Sequence, residues 1–244
     1  MSTDFIMSLI ETLSTRLSSL AGSEFDYIES KDITRATEIN HDCSGIYMEA
    51  TVIYFEIKNI HFLLKENGRR KVAQTYTMFR EVLSAIAESD GGFVSCYSPS
   101  SFLIIYPGKE DNMSNAVKSA TKIAYAFSDQ FKPVFGQMTG LEYGMGLDHG
   151  HIMGTKNPTD HSFERLVWFG NCIYKASSIS KECTRPYHVG VSSVIYHSLP
   201  ENMLFSIRSI LGIKKRVDLW TKVSYQFEGE KKHLYQTNHK AKFE

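Results

Sequence analysis

The sequence predicts an α+β domain: a ferredoxin-like βαββαβ core with a helix in front of it and further strands behind. Three observations carry this. "EATVIYFEI", Glu49 to Ile57, is a strand with almost no polar interruption, the mark of a central strand covered on both faces. "GGFVSCYSPSSFLIIYPG", residues 91 to 108, holds two aromatic and β-branched segments around Ser98-Pro99-Ser100-Ser101, which is turn chemistry. Between and after these strands, apolar residues recur at helical spacing, giving the order strand, helix, hairpin, helix, strand.

The elements follow in chain order. Ile6, Leu9, Ile10, Leu13, Leu17 and Leu20 make one face of an opening helix, with Gly22 as its stop. That stripe packs on its own domain or forms a seam against another subunit. A polar, turn-rich stretch from Ser23 to Ser44 leads to the central strand. Val72, Tyr76, Phe79, Leu83 and Ile86 then predict an amphipathic helix headed by the basic "GRRK". Gly91-Gly92 introduces the hairpin, with strands at Phe93–Tyr97 and Phe102–Tyr106. Met113, Ala116, Val117, Ala120, Ile123, Ala124 and Phe127 form the next helical face.

"LEYGMGLDHGHIMG", residues 141 to 154, reads as a strand of alternating small residues with a bend at Gly150. "FERLVWFGNCIYKASSISK" crosses from strand to helix near Gly170, and "YHVGVS" is a short buried strand. Val217 to Phe227 and His233 to Tyr235 predict a terminal hairpin turning at Glu228-Gly229. Residues 1–45 are thus a helix and leader. Residues 46–244 form one domain, with its core at about 50–199.

Bulk composition narrows the function classes. Hydrophobic residues make up 42% of 244, enough for a real core. Lys+Arg and Asp+Glu are both 27, so no nucleic-acid footprint is present. Cys43, Cys96, Cys172 and Cys183 are scattered without a C-x-x-C pair, which suits a reducing compartment and argues against a zinc ribbon. No apolar run approaches the ~18 residues of a membrane span, and no signal peptide is visible. A cytoplasmic location is expected, with neither membrane nor nucleic acid as a partner.

Over roughly Ala50 to Leu199 the chain resembles the catalytic domain of class III nucleotide cyclases. Four landmarks carry the resemblance. "VIYFEI" sits where the family's first strand ends in Asp-Ile. The 91–106 segment sits on the family's G-G-x-V-x-K-x-x-G-D hairpin. "YGMGLDHGHIMG" is similar to its G-I-x-x-G strand, and "VWFGNCIYKASSIS" to W-G-N-x-V-N-x-A-S-R-M. The "VW-x-G" wording, the "GLDHG" strand and the leader "FDYIES" also resemble pyrimidine cyclases of bacterial anti-phage Pycsar systems.

The resemblance implies specific site positions. In the family two Asp hold two Mg²⁺ or Mn²⁺ ions, which activate the ribose 3′-hydroxyl against the α-phosphate. An Asn and an Arg act from the other subunit of a head-to-tail dimer, and a hairpin Lys helps read a purine. Here the Asp positions hold Glu56 and Ser100, and the Lys position holds Cys96. The Asn and Arg positions hold Tyr174 and Ser178, and the base-reading position holds Val167. Only Glu56 keeps the chemistry of its position. No metal or other cofactor is therefore expected, and no catalytic residues. A nucleotide groove, if kept, would involve Cys96, Val167, Trp168 and Tyr174.

Blander readings stand beside these. Glu56 reads as a strand-end carboxylate paired with Lys58 or the "GRRK" bases. His149 and His151 face one side of their strand, but a metal site needs a third ligand. Cys96 and Cys172 read as small core residues. Lys214-Lys215-Arg216 reads as a solvated turn. Tyr174 reads as filling the space where nucleotide would lie, with stacking on a base as the alternative. The expected function is that of an inactive, homodimeric cyclase homologue that senses a nucleotide or binds a partner protein. The alternative is an active divergent cyclase, with Mg or Mn, making a 3′,5′-cyclic nucleotide, perhaps a pyrimidine one. A third reading is a detached dimerisation module.

Overall fold

The computed structural model describes residues 3–30, 39, 44–108, 111–135, 140–156, 166–210 and 213–242. Cys43 and the start of the "FERLVW" segment lie outside the described residues. The chain opens with α1 (Thr3–Gly22) and a short β1 (Asp26–Glu29), followed by the long β2 (Ser44–Ile57). Helices α2 (Ile60–Asn67) and α3 (Arg69–Ser89) lead to the hairpin β3 (Phe93–Ser98) and β4 (Ser101–Pro107). Next come α4 (Asp111–Tyr125), a π-helical turn (Ala126–Gln130) and α5 (Lys132–Phe135), then β5 (Tyr143–Thr155). After β6 (Val167–Phe169) come α6 (Asn171–Glu182), β7 (Val189–Ser192), α7 (Ser193–Ser198) and α8 (Glu201–Leu204). The chain closes with two hairpins, β8 (Phe205–Ile210) with β9 (Ile213–Asp218), and β10 (Thr221–Phe227) with β11 (Glu230–Thr237).

The main sheet runs β10-β11-β7-β5-β2-β4-β3, with β1 beside β2 and β6 beside β5. Its inner part, β5-β2-β4-β3, is the strand order of a ferredoxin-like core, as predicted. β2 is central: β4 pairs with Ala50–Glu56 and β5 with Gly45–Ile57, both antiparallel. Ile53, Phe55 and Ile57 point into the core under α3 and α4. Ile46, Met48, Ala50 and Val52 point into the core under α6. Both faces of one strand are therefore buried, which is why its sequence does not alternate. Phe55 anchors the first core, its ring 5.4–5.9 Å from those of Phe79, Phe102, Phe127 and Tyr143.

The glycines of β5 answer to α6. A Cβ on Gly146 would stand 2.0 Å from the Ala176 carbonyl oxygen, and one on Gly144 would stand 2.4 Å from that of Cys183. The helix thus lies backbone against backbone on the strand, which only glycine permits.

Two expectations are corrected. Val217 does not belong to the terminal hairpin. It lies in β9, opposite Ser206, in a separate two-stranded ribbon. Lys214–Arg216 are likewise strand, not turn, and the Arg216 guanidinium sits 3.4 Å over the Phe205 ring. The bends that separate these strands carry no Gly or Pro between Asp218 and Thr221 that would betray them. The parallel β1 strand was also not foreseen within the leader. As for α1, its apolar stripe is uncovered within the chain: Ile6, Leu9, Ile10, Leu13 and Leu17 are all exposed. Among the described residues no helix is long and apolar enough to cross a membrane.

Candidate functional site

Glu56 lies next to last in β2, across from Ser101 on β4 and Gly144 on β5. Strand alternation turns its side chain toward α6, where it is half-buried. There Oε2 accepts a hydrogen bond from the hydroxyl of Ser180 at 3.1 Å. The expected pairing with Lys58 or the "GRRK" bases is not what forms. Lys58 instead donates its ammonium to the Lys181 carbonyl at 2.7 Å. Lys58 is two residues along the chain from Glu56, just past the strand end, and α6 offers it a free C-terminal carbonyl.

The hairpin turn stands beside Glu56. The Ile57 amide donates to the Ser100 carbonyl at 2.7 Å, tying the strand end to the turn. Ser98 and Ser101 share a hydrogen bond of 2.8 Å, and the Tyr54 hydroxyl donates to Ser101 at 3.0 Å. From outside, the Tyr76 hydroxyl of α3 donates to the Ser98 carbonyl at 2.6 Å. Ser100 thus sits in a turn whose neighbours, Ser98 and Ser101, form a neutral hydroxyl network.

This donor set does not fit a pair of hard divalent cations. Such ions want several oxygen ligands with carboxylate charge. The position offers one carboxylate, already hydrogen-bonded, and a neutral serine. His149 and His151 do share a face, as expected, but their partners are protein groups. His149 lies 2.9 Å from the Thr51 hydroxyl through Nδ1 and 3.1 Å from Glu49 through Nε2. His151 stacks on Tyr47 with ring centroids 5.1 Å apart. Among the described residues no group of three or more His, Cys, Asp or Glu side chains is placed to hold a metal.

On α6, Tyr174 is exposed and Ser178, one turn on, is half-buried. Tyr174 thus projects from the helix rather than filling space within its own chain. Between them Lys175 turns inward, 3.4 Å from the buried carboxylate of Asp148 on β5. Burial holds the Asp148 carboxyl above the usual carboxylate range, and Lys175 opposes that shift. Sequence reading missed both this pair and Ser180. The available signal was a lone Asp inside the glycine-rich strand "GLDHG", since an acid there must find a partner.

The short β6 alternates out, in, out. Val167 is exposed, as is Phe169, and so is Tyr174 in the first turn of α6. Trp168 points the other way. Its indole N–H donates to Ser95, which a bulge between Val94 and Cys96 turns inward. Trp168 is therefore a core residue of this chain. Cys172 is buried, as expected, and burial pushes its thiol up to about 12. The backbone of Cys96 pairs with Leu103, while its side chain lies outside the described set.

No family profile matches the chain. It is similar to a uridylate cyclase from Burkholderia cepacia, 22% identical over 179 residues that span 70% of this chain and 71% of the relative. Among solved structures it resembles the guanylyl cyclase Cya2, with a TM-score of 0.61 and 13% identity, over 79% of this chain and 93% of that one. The adenylyl cyclase CyaB from P. aeruginosa gives 0.60 and 13%, over 78% and 94%. A bacterial light-regulated adenylyl cyclase gives 0.64 and 14%, over 98% of this chain and 66% of that one. The likeness first read from four sequence landmarks thus extends to the whole fold.

Proposed function

We propose that this chain, which has the class III nucleotide cyclase fold and resembles a uridylate cyclase, is a cyclase homologue without catalysis. It acts through its surfaces, as a homodimer that senses a nucleotide or binds a partner protein. One observation carries the reading. The carboxylate at the family's metal position is single, is held by Ser180, and faces a turn of neutral serines.

The chemistry explains why that matters. Attack by a ribose hydroxyl on a phosphate needs divalent ions to lower the hydroxyl's pKa and to neutralise the triphosphate. It also needs a donor on the charge that develops at phosphorus. Losing one such donor costs typically ~10²–10³ in rate. Ser178 stands where the family's Arg would supply it. Head-to-tail pairing does not repair the loss. Each composite site takes metal ligands from one subunit and the Asn/Arg pair from the other, and this chain is deficient in both. The exposed Val167, Phe169 and Tyr174 would then serve as contact surface.

The deciding experiment incubates the purified protein with UTP, CTP, ATP or GTP and Mn²⁺ or Mg²⁺. The expected result is no cyclic product, with thermal stabilisation by a nucleotide if the groove is a sensor. A second reading is favoured by the uridylate cyclase relative. In it the chain is an active, divergent cyclase of a Pycsar-type anti-phage system, using Glu56 with a carboxylate from elsewhere. Formation of cyclic UMP or cyclic CMP would establish that reading and remove the first.

A further inference from the structure

A cleft of about 750 Å³ opens at the end of the sheet where β5 begins. Tyr143 forms part of it, on the face of β5 turned toward the α3 and α4 core. Glu56 projects from the opposite face of the sheet, toward α6. The cleft is therefore distinct from the groove just described. One wall is the π-helical turn Ala126–Gln130. Such turns are rare and occur mostly at functional sites.

The charges in the cleft do not cancel. Lys132, Arg185 and Lys240 line it, as do Asp129 and Glu142. Asp129 is committed. It accepts from Lys240 at 2.7 Å and from the Ser128 hydroxyl at 2.6 Å, which clamps the chain beyond β11 onto the π-turn. Lys132 and Arg185 remain, and among the described residues neither has an ion-pair partner within 4.0 Å. Glu142 is the second acid among the described lining residues, and Asp129 also feels the charge of Lys132. His188 reports the same field from the interior. Its ring stacks 4.2 Å from Tyr143, and Nδ1 donates to the Tyr143 carbonyl at 2.9 Å. Burial holds its pKa below the usual histidine range, and Arg185, Lys240 and Lys58 add to that depression.

We infer that this cleft binds a small phosphate-bearing molecule, its oxyanion gripped by Arg185 and Lys132. A guanidinium fork and an ammonium lining one cleft match a phosphate better than a single charge would. The volume accommodates a whole small metabolite rather than a lone ion.

Isothermal titration with inorganic pyrophosphate at low ionic strength tests this, with citrate as the carboxylate control. The expected result is saturable pyrophosphate binding that citrate does not match. Affinity should fall by ~10-fold or more in Arg185→Ala/Lys132→Ala, whose two positions are exposed, so the native fold should persist and is checked by circular dichroism. Glu142→Gln should bind more tightly. The proposal is overturned by absence of saturable binding, by equal affinity in the double variant, or by equal affinity for citrate.

Discussion

Ser180 and Glu56, 124 residues apart, meet at 3.1 Å across the interface between α6 and β2. Ser180 is fully buried, and its one hydroxyl proton is shared between Glu56 and the Ser177 carbonyl, which lies 2.8 Å away. The helix thereby neutralises some of the demand of a half-buried carboxylate with a hydroxyl rather than a metal ion. Deleting the carboxylate in Glu56→Ala should cost about 1.5 kcal/mol in chemical denaturation, the lower end for a hydrogen bond to a charged group because Ser180 shares its proton.

Placing Asp at both positions that the family resemblance aligns with metal ligands, in Glu56→Asp/Ser100→Asp, should yield no cyclic nucleotide from any of the four triphosphates. Tyr174 and Ser178 would still stand where the family places Asn and Arg. Measurable turnover in that double variant would refute the assignment of those two helix positions.

Gly146→Ala should destabilise the domain by about 3 kcal/mol, because the strand and helix backbones must separate. The added Cβ would lie 2.0 Å from the Ala176 carbonyl oxygen and 2.5 Å from the Ser180 amide. Gly150→Ala on the same strand is the control. Its Cβ would meet Cys172 at 3.4 Å, so its cost should stay below ~1 kcal/mol. Urea midpoints compare the two.

Asp148 should make stability fall with rising pH. Its carboxyl is held above the ordinary value by burial, so the folded state keeps this proton longer than the unfolded state does. Its support for the fold is complete below the unfolded value of ~3.9 and is lost as pH rises through the higher folded value. Asp148→Asn, which stays neutral at every pH, should therefore match the unmodified protein in acid and exceed it in stability by a growing margin as pH rises to neutral. Removing the opposing cation in Lys175→Met should make that decline steeper and cost roughly 3–5 kcal/mol at neutral pH, at the upper end only if the carboxylate stays fully buried.

The stripe on α1 should matter for assembly and not for the single chain. Leu13 and Leu17 are 50% and 63% exposed, so Leu13→Lys/Leu17→Lys should change unfolding of the domain by no more than ~0.5 kcal/mol per site. Ile6, Ile10, Leu13, Leu17 and Leu20 alternate by four and three residues, the spacing of a coiled-coil seam. Sedimentation velocity should show the proposed dimer weakened. An unchanged dimer would place the seam elsewhere.

Much of the fold was legible because backbone geometry writes itself into local spacing. The uninterrupted run ending at Ile57, the Pro99 turn, and the helix faces of Phe79 and Val117 all declared their elements. The β8–β9 ribbon did not, since Asp218 to Thr221 contain no breaker, and β1 is a four-residue strand inside a polar leader. At the site, residue identities were legible but partners were not. Lys58 and Glu56 are near neighbours in sequence yet point to different groups on α6. Trp168 read as a groove residue until the bulge at Ser95 gave its indole an interior acceptor.

By itself, then, the sequence determined the order of the core strands and helices, the burial of β2 on both sides, and the neutral side chains at Ser100 and Ser178. These follow from side-chain type and from periods of two and 3.6 residues, which are properties of the local chain. Only the tertiary structure decided that Ser180 holds Glu56, that Lys175 answers Asp148, and that Arg185 and Lys132 face one cleft. Those pairings depend on how α6 settles onto the glycines of β5 and how distant segments converge at its first residue. No local pattern encodes such convergence, because it is selected by packing of the whole domain.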